Sequence, residues 1–169
     1  MSLLRIPLGE LTERHGVRHP CRRQVQLEVS PVAGSQVAEG APVAVDLEIE
    51  AIAGGVVVAG TVTFDWVGVC RRCLDPVASS AEVVVREIFE SRPTEGETYP
   101  LGSGFLDLEP MVRDAVTLGL PLAPICRPDC PGPDPRRFPT GTAEGEPADE
   151  VERDPRWAAL DVLRDADGG

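Results

Sequence analysis

The sequence predicts an α+β fold: an antiparallel β-sheet or small open barrel with one packed helix, a cysteine knuckle region and a tethered C-terminal helix. Three observations predict it. Apolar and polar residues alternate along "CRRQVQLEVS" and "PVAVDLEIEA", the period-two signature of half-buried strands. β-Branched residues crowd two longer runs, "VVVAGTVTFDWVGVC" and "VASSAEVVVREIFE", separated by only "CRRCLDP". A helical period then takes over at Asp107.

Taken in order, "LLRIPL" reads as an edge strand, because Pro7 lacks the N–H that a central ladder needs. Val25, Leu27 and Val29 fall on one face of the next strand, with Gln24, Gln26 and Glu28 on the other. Val43, Val45, Leu47 and Ile49 repeat the pattern one strand later. Ala53 to Gly55 is a turn signal, so this strand and the long one after it form a hairpin. Gly60 marks a bend or bulge in the long strand. The chain returns as a strand after Cys73, and "SRPTEGETYPLGSGF" carries the turn formers of a mobile surface loop.

Asp107 is placed as N-cap of a helix, with Pro110 in the tolerated first turn and Pro121 as its stop. Leu108, Met111, Val112, Ala115 and Val116 share its inner face. The organisation expected is one domain over residues 1–132, then an acidic Pro/Gly-rich linker over 133–153 too poor in apolar residues to fold. A short helix and tail over 154–169 complete the chain, with Asp154-Pro155 as cap and first position and Trp157, Leu160 and Leu163 as a docking stripe.

Composition narrows the function. An apolar share of 42% supports a core, and with aromatics at 4% that core must be built from Val, Leu and Ala. All 16 basic residues are Arg, a bias that a G+C-rich genome explains without phosphate recognition. A net charge of −12 repels nucleic acid as a whole-surface partner and favours basic ones. "MSLLRIPLGELTERHG" has no apolar h-region, and no run is long enough to span a bilayer, so a cytoplasmic setting is expected. Thiols stay reduced there, which turns attention from disulfides to metal, redox chemistry or burial.

Two cysteine pairs carry the chemistry. In "CRRC", Cys70 ends a strand and Cys73 lies just past a two-residue turn, which aims both thiols at one spot, as in a hairpin zinc knuckle. Cys126 and Cys130 of "CRPDC" follow the helix. Together they supply the four thiolates of a structural zinc site, with Arg71, Arg72 and Arg127 to offset its charge. The same residues also fit four reduced thiols without metal, or a redox pair, although the thioredoxin-like arrangement needs its second Cys in a helix. Cys21 beside His15 and His19 is a weaker metal candidate and fits a packed strand residue better. "AGGVVVAG" is a hairpin rather than a phosphate loop, Ser79-Ser80 has no Gly elbow, and the basic stretches "RHPCRR" and "DPRRF" lack interleaved aromatics for stacking.

Through "CRRCLDPV", "LDLEPMVRDAVTLGLPLAPICRPDCPG" and "DPRWAAL", the chain from Leu3 to Leu163 resembles the YceD family of large ribosomal RNA subunit accumulation proteins. The resemblance implies a non-enzymatic bacterial cytoplasmic factor supporting large-subunit rRNA accumulation and ribosome assembly. Its partners would be large-subunit components or a pre-ribosomal particle, with a basic zinc-ribbon ribosomal protein as one candidate. Many members of the family continue with a further Leu-Cys-Pro-x-Cys-Gly segment. Here Asp134 and Arg137 stand where that last pair would fall, and Phe138 replaces the Gly. The competing reading, from another class, is a zinc- or thiol-based enzyme or redox sensor, which would need an open coordination position or an activated thiolate.

Overall fold

In the computed structural model, which describes residues 3–12 and 16–137, ten elements follow in order. They are β1 (Arg5–Pro7), α1 (Leu8–Thr12), β2 (Arg18–Val25), β3 (Gln36–Val37), β4 (Val43–Ile52), β5 (Gly55–Val69), β6 (Pro76–Glu90), β7 (Tyr99–Pro100), β8 (Phe105–Asp107) and α2 (Glu109–Gly119). The main sheet is open, with strand order β2-β4-β5-β6-β7, and β3 pairs with the far end of β5. Neighbours along β2 to β6 are antiparallel and β7 joins β6 in parallel. β1 and β8 form a separate two-stranded ribbon.

The alternation read from the sequence sets which side of each strand is wet. Val43, Val45, Leu47 and Ile49 of β4 and Val56, Val58, Val62 and Phe64 of β5 are all buried on one face. Helix α2 closes that face with Met111, Val112, Ala115 and Val116, and Leu4, Leu11 and Leu106 fill it from the N-terminal and β8 segments. Each large aliphatic or aromatic side chain removed from water there contributes about 1.5–3 kcal/mol. The opposite face carries no helix among the described residues. On its β2–β4 side the charges match in register: Arg18 reaches Glu48 at 3.1 Å and Glu50 at 3.4 Å, and Arg22 reaches Asp46 at 3.0 Å.

Several expectations are refined. The second strand starts at Arg18 and stops at Val25, because its partner β4 begins at Val43, opposite Val25. Leu27 and Val29 therefore leave the ladder and line a groove of about 1010 Å³ with Val37 and Arg113. The β4–β5 turn is Ala53-Gly54, with Gly54 at φ +88°. Gly60 is not a bulge, since the β4–β5 register runs unbroken through Leu47↔Gly60. It is required instead by φ +150° and by close approach of β4, where a Cβ would overlap the Asp46 carbonyl. Within the expected surface loop, Tyr99–Pro100 pairs with Phe89–Glu90. Helix α2 has its N-cap at Leu108, one residue later than the expected Asp107, which ends β8; the Asp107 carboxylate still accepts the Glu109 N–H at 3.1 Å. The proposed terminal helix with Trp157, Leu160 and Leu163, and all of the linker beyond residue 137, lie outside the described residues.

Candidate metal centre

The β5–β6 hairpin delivers the first pair of thiols. β5 ends at Val69, Cys70–Cys73 make the turn, and β6 begins at Pro76. The Cys70 N–H bonds Asp75 O at 2.9 Å and the Leu74 N–H bonds Cys70 O at 3.0 Å, which closes the turn tightly enough to hold Leu74 at φ +67°. The second pair sits on the segment that leaves α2, where Pro121 stops the helix after Gly119. There the Cys130 N–H bonds Arg127 O at 3.1 Å, folding the second knuckle.

Contacts between the two segments bring the pairs together. The Arg71 N–H bonds Pro124 O at 2.8 Å and its guanidinium donates to Leu122 O at 3.1 Å. Arg72 donates to Pro128 O at 2.8 Å and to Cys130 O at 3.3 Å. Ser35, the one fully buried polar side chain among the described residues, donates from Oγ to Pro121 O at 2.7 Å and pins the start of the segment. These arginines, expected only to offset charge, are also the braces of the site. Ser35 had no signal in the sequence, because its role depends on a carbonyl 86 positions away.

The four sulfur atoms all lie within 4.8 Å of one another. Cys70 Sγ is 3.8 Å from Cys130 Sγ and Cys73 Sγ is 3.7 Å from Cys126 Sγ. A tetrahedral zinc thiolate with Zn–S near 2.3 Å has sulfur–sulfur edges of about 3.8 Å. The donor set fits zinc, with Cys70 and Cys130 buried, Cys73 half-buried and Cys126 exposed. N–H groups from Arg72 and Cys126 also point at Cys70 Sγ, both at 3.4 Å, which is the usual support of a metal-bound thiolate.

Without metal the thiols are pulled apart electrostatically. Hydrogen bonds from the Cys73 and Cys126 backbone lower Cys70 to about 6, against an opposing contribution from burial. An Asp75 N–H favours the Cys73 thiolate, but burial and the neighbouring sulfurs outweigh it and push that thiol up to about 12. Cys126 is raised, first by Cys130 and then by burial. Four thiols held this close cannot all ionise together unless a cation sits among them.

Cys21 is elsewhere. It is buried in the core on β2, opposite Leu47, and burial raises its thiol. His19 lies two residues before it on the same strand with its Nε2 buried and without a hydrogen-bond partner among the described residues, while His15 falls outside them. No helix among the described residues is long and apolar enough to cross a membrane.

Comparison with known proteins gives the following. The family model described as "Large ribosomal RNA subunit accumulation protein YceD" matches residues 58–164, which include both cysteine pairs. The chain is 36% identical over 160 residues to Uncharacterized protein Rv2926c of Mycobacterium tuberculosis, covering 90% of this chain and 73% of the relative. Uncharacterized protein Mb2951c of Mycobacterium bovis matches to the same extent, 36% over 160 residues. Uncharacterized protein ML1660 of Mycobacterium leprae is 38% identical over 132 residues, or 72% of this chain and 58% of the relative. No solved structure matches the chain.

Proposed function

The chain belongs to the YceD family, and from that premise we propose that it is a non-enzymatic cytoplasmic factor that supports large-subunit rRNA accumulation and ribosome assembly by binding a basic ribosomal protein or pre-ribosomal particle. The single observation that carries the reading is the family match over residues 58–164. Charge supports the choice of partner. Residues 138–169 hold nine carboxylates and three arginines, a net −6, which is half of the −12 of the whole chain. The carboxylates of Asp46, Glu48 and Glu50, by contrast, already face Arg18 and Arg22. Recruitment of a basic partner therefore falls to the C-terminal segment more than to the sheet face.

Cys70, Cys73, Cys126 and Cys130 hold a structural zinc ion in this reading. Four protein thiolates fill a tetrahedron and leave no position for substrate or activated water, which argues against a zinc enzyme. The metal would clip the β5–β6 turn to the segment after α2.

The test is affinity capture of the tagged full chain from growing cells. Large-subunit proteins should be enriched at low salt and lost as ionic strength rises, because Debye screening weakens exposed charge contacts. Capture of no ribosomal material at low salt would refute the proposal.

A further inference from the structure

We propose that the groove of about 1010 Å³ beside β2 and β3 receives the chain's own C-terminal segment, residues 154–164, with Trp157, Leu160 and Leu163 as its apolar contacts. This goes beyond the assembly role and does not depend on it. The groove arises where the alternation of β2 outlasts its partner. Leu27 and Val29 continue the inward face past Val25, where the β2–β4 ladder ends, and no strand among the described residues pairs with them. With Val37 of β3 they stay only half-buried, and Leu3 at the rim is 63% exposed. A concave apolar surface of this kind accepts the apolar face of an amphipathic helix.

Charge selects the occupant. Arg113, the one cation among the described lining residues, is already committed: it donates to Glu109 Oε1 at 2.8 Å and to the Glu28 carbonyl. The exposed carboxylates of Glu28 and Glu39 make no ion pair among the described residues, which leaves the walls net acidic. At 3.6 residues per turn, a helix capped at Asp154 gathers Leu163, Arg156, Leu160, Arg164 and Trp157 within an arc of about 120°. Its apolar stripe therefore carries two guanidiniums and no carboxylate, although the tail as a whole is acidic. Such a face complements an apolar floor edged by carboxylates. The exposed apolar side chains of Leu74, Leu122 and Ile125 at the cysteine knuckle are a poorer match. Arg71, Arg72 and Arg127 edge that cluster, and like charge opposes the arginines of the segment.

The tether is long enough. Val37 pairs with Trp66 of β5, and Cys70 stands four residues beyond Trp66. With about 3.4 Å per residue along the strand and one strand spacing of about 4.8 Å, the groove begins roughly 15 Å from the knuckle. Cys130 lies in that knuckle, its sulfur 3.8 Å from that of Cys70, and the last described residue, Arg137, follows seven positions later. Residues 138–153 then supply sixteen residues of connection. A coil of that length spans about 20–24 Å on average and roughly 50 Å at full stretch. Docking within one chain therefore proceeds at an effective concentration in the millimolar range. It also fixes both ends of the acidic stretch: the five carboxylates and one arginine of residues 138–153 become a loop held between knuckle and groove.

The experiment is amide hydrogen exchange read by mass spectrometry on the full chain, at about 1 and 10 μM. Amides of residues 157–164 should exchange about tenfold or more slower in the wild type than in Trp157→Ala/Leu160→Ala. Alanine keeps the intrinsic helix tendency, so protection lost there reports lost docking. Glu28→Arg/Glu39→Arg and Arg156→Glu/Arg164→Glu should each speed exchange of the segment about fivefold or more. Combining all four changes restores opposite charges and should return exchange to within about threefold of wild type. Glu28 and Glu39 are exposed, and unchanged circular dichroism establishes that their variants fold. Leu122→Glu at the knuckle should leave the segment as it is. A segment indifferent to Trp157→Ala/Leu160→Ala or to the groove charges would overturn the proposal, as would a combined variant no better than its parts. Protection lost in Leu122→Glu would move the segment to the knuckle, and protection that rises with concentration would assign the groove to a second copy's segment; either result overturns it too.

Discussion

Replacing Cys73 by Ser tests whether the four thiols act as a metal clip. Cys73 and Cys126 lie 53 positions apart and their sulfurs stand 3.7 Å apart. A cross-link closing a loop of that length removes denatured-chain entropy that stabilises the fold by about 4 kcal/mol. For a chain of this size, each kcal/mol moves the thermal midpoint by about 2–4 °C, so loss of the clip should lower it by about 10 °C. Wild-type protein purified without chelator should contain about one zinc per chain by elemental analysis. Cys73→Ser should lose the zinc and the stability together, and calorimetry of the two proteins gives the difference. None of the four thiols lies within the β4–β5 ladder or on helix α2, so far-UV circular dichroism below the midpoint should change little. A metal-free wild type with the same midpoint as the variant would sink the reasoning.

Two further outcomes follow. In protein stripped of metal and kept reduced, the lowered Cys70 thiol contributes stability that is complete above about 9 and is lost as pH falls through about 6, whereas the raised Cys73 thiol costs stability as pH climbs from about 9 toward 12; midpoints measured from pH 6 to 10 should rise and then fall, and a monotonic profile contradicts the assigned directions. Gly60→Val should cost roughly 3 kcal/mol or more, from strain at φ +150° together with overlap on the Asp46 carbonyl, and urea denaturation showing a loss below ~1 kcal/mol would refute the close-approach reading.

The β4–β5–β6 meander was legible because its alternation runs the full length of its pairing. Val43 to Ile49 and Val56 to Phe64 keep one face apolar for as long as a partner lies alongside. Where pattern and partner part company, the sequence misled. Leu27 and Val29 continue the alternation of β2, but periodicity reports which side faces inward and not where the neighbouring strand ends. Helix α1, at five residues, is too short for a 3.6-residue period to register, and the two-residue β3 exists only because Val67 and Trp66 offer it an edge. The spacing within each cysteine pair pointed to a knuckle. Their convergence was not written in either pair, because it depends on the reach of Arg71 and Arg72 to carbonyls more than fifty positions away.

The β1–β8 ribbon pairs Arg5 with Asp107 across 102 positions and adds a 2.9 Å ion pair between them. A nascent chain leaves the exit tunnel N-terminus first, so β1 emerges well before its partner β8 and waits for it. Synthesis at about 5–20 residues/s keeps β1 unpartnered for about 5–20 s. During that interval Leu4 and Leu11, both buried in the finished molecule, stay open to solvent and to chaperones.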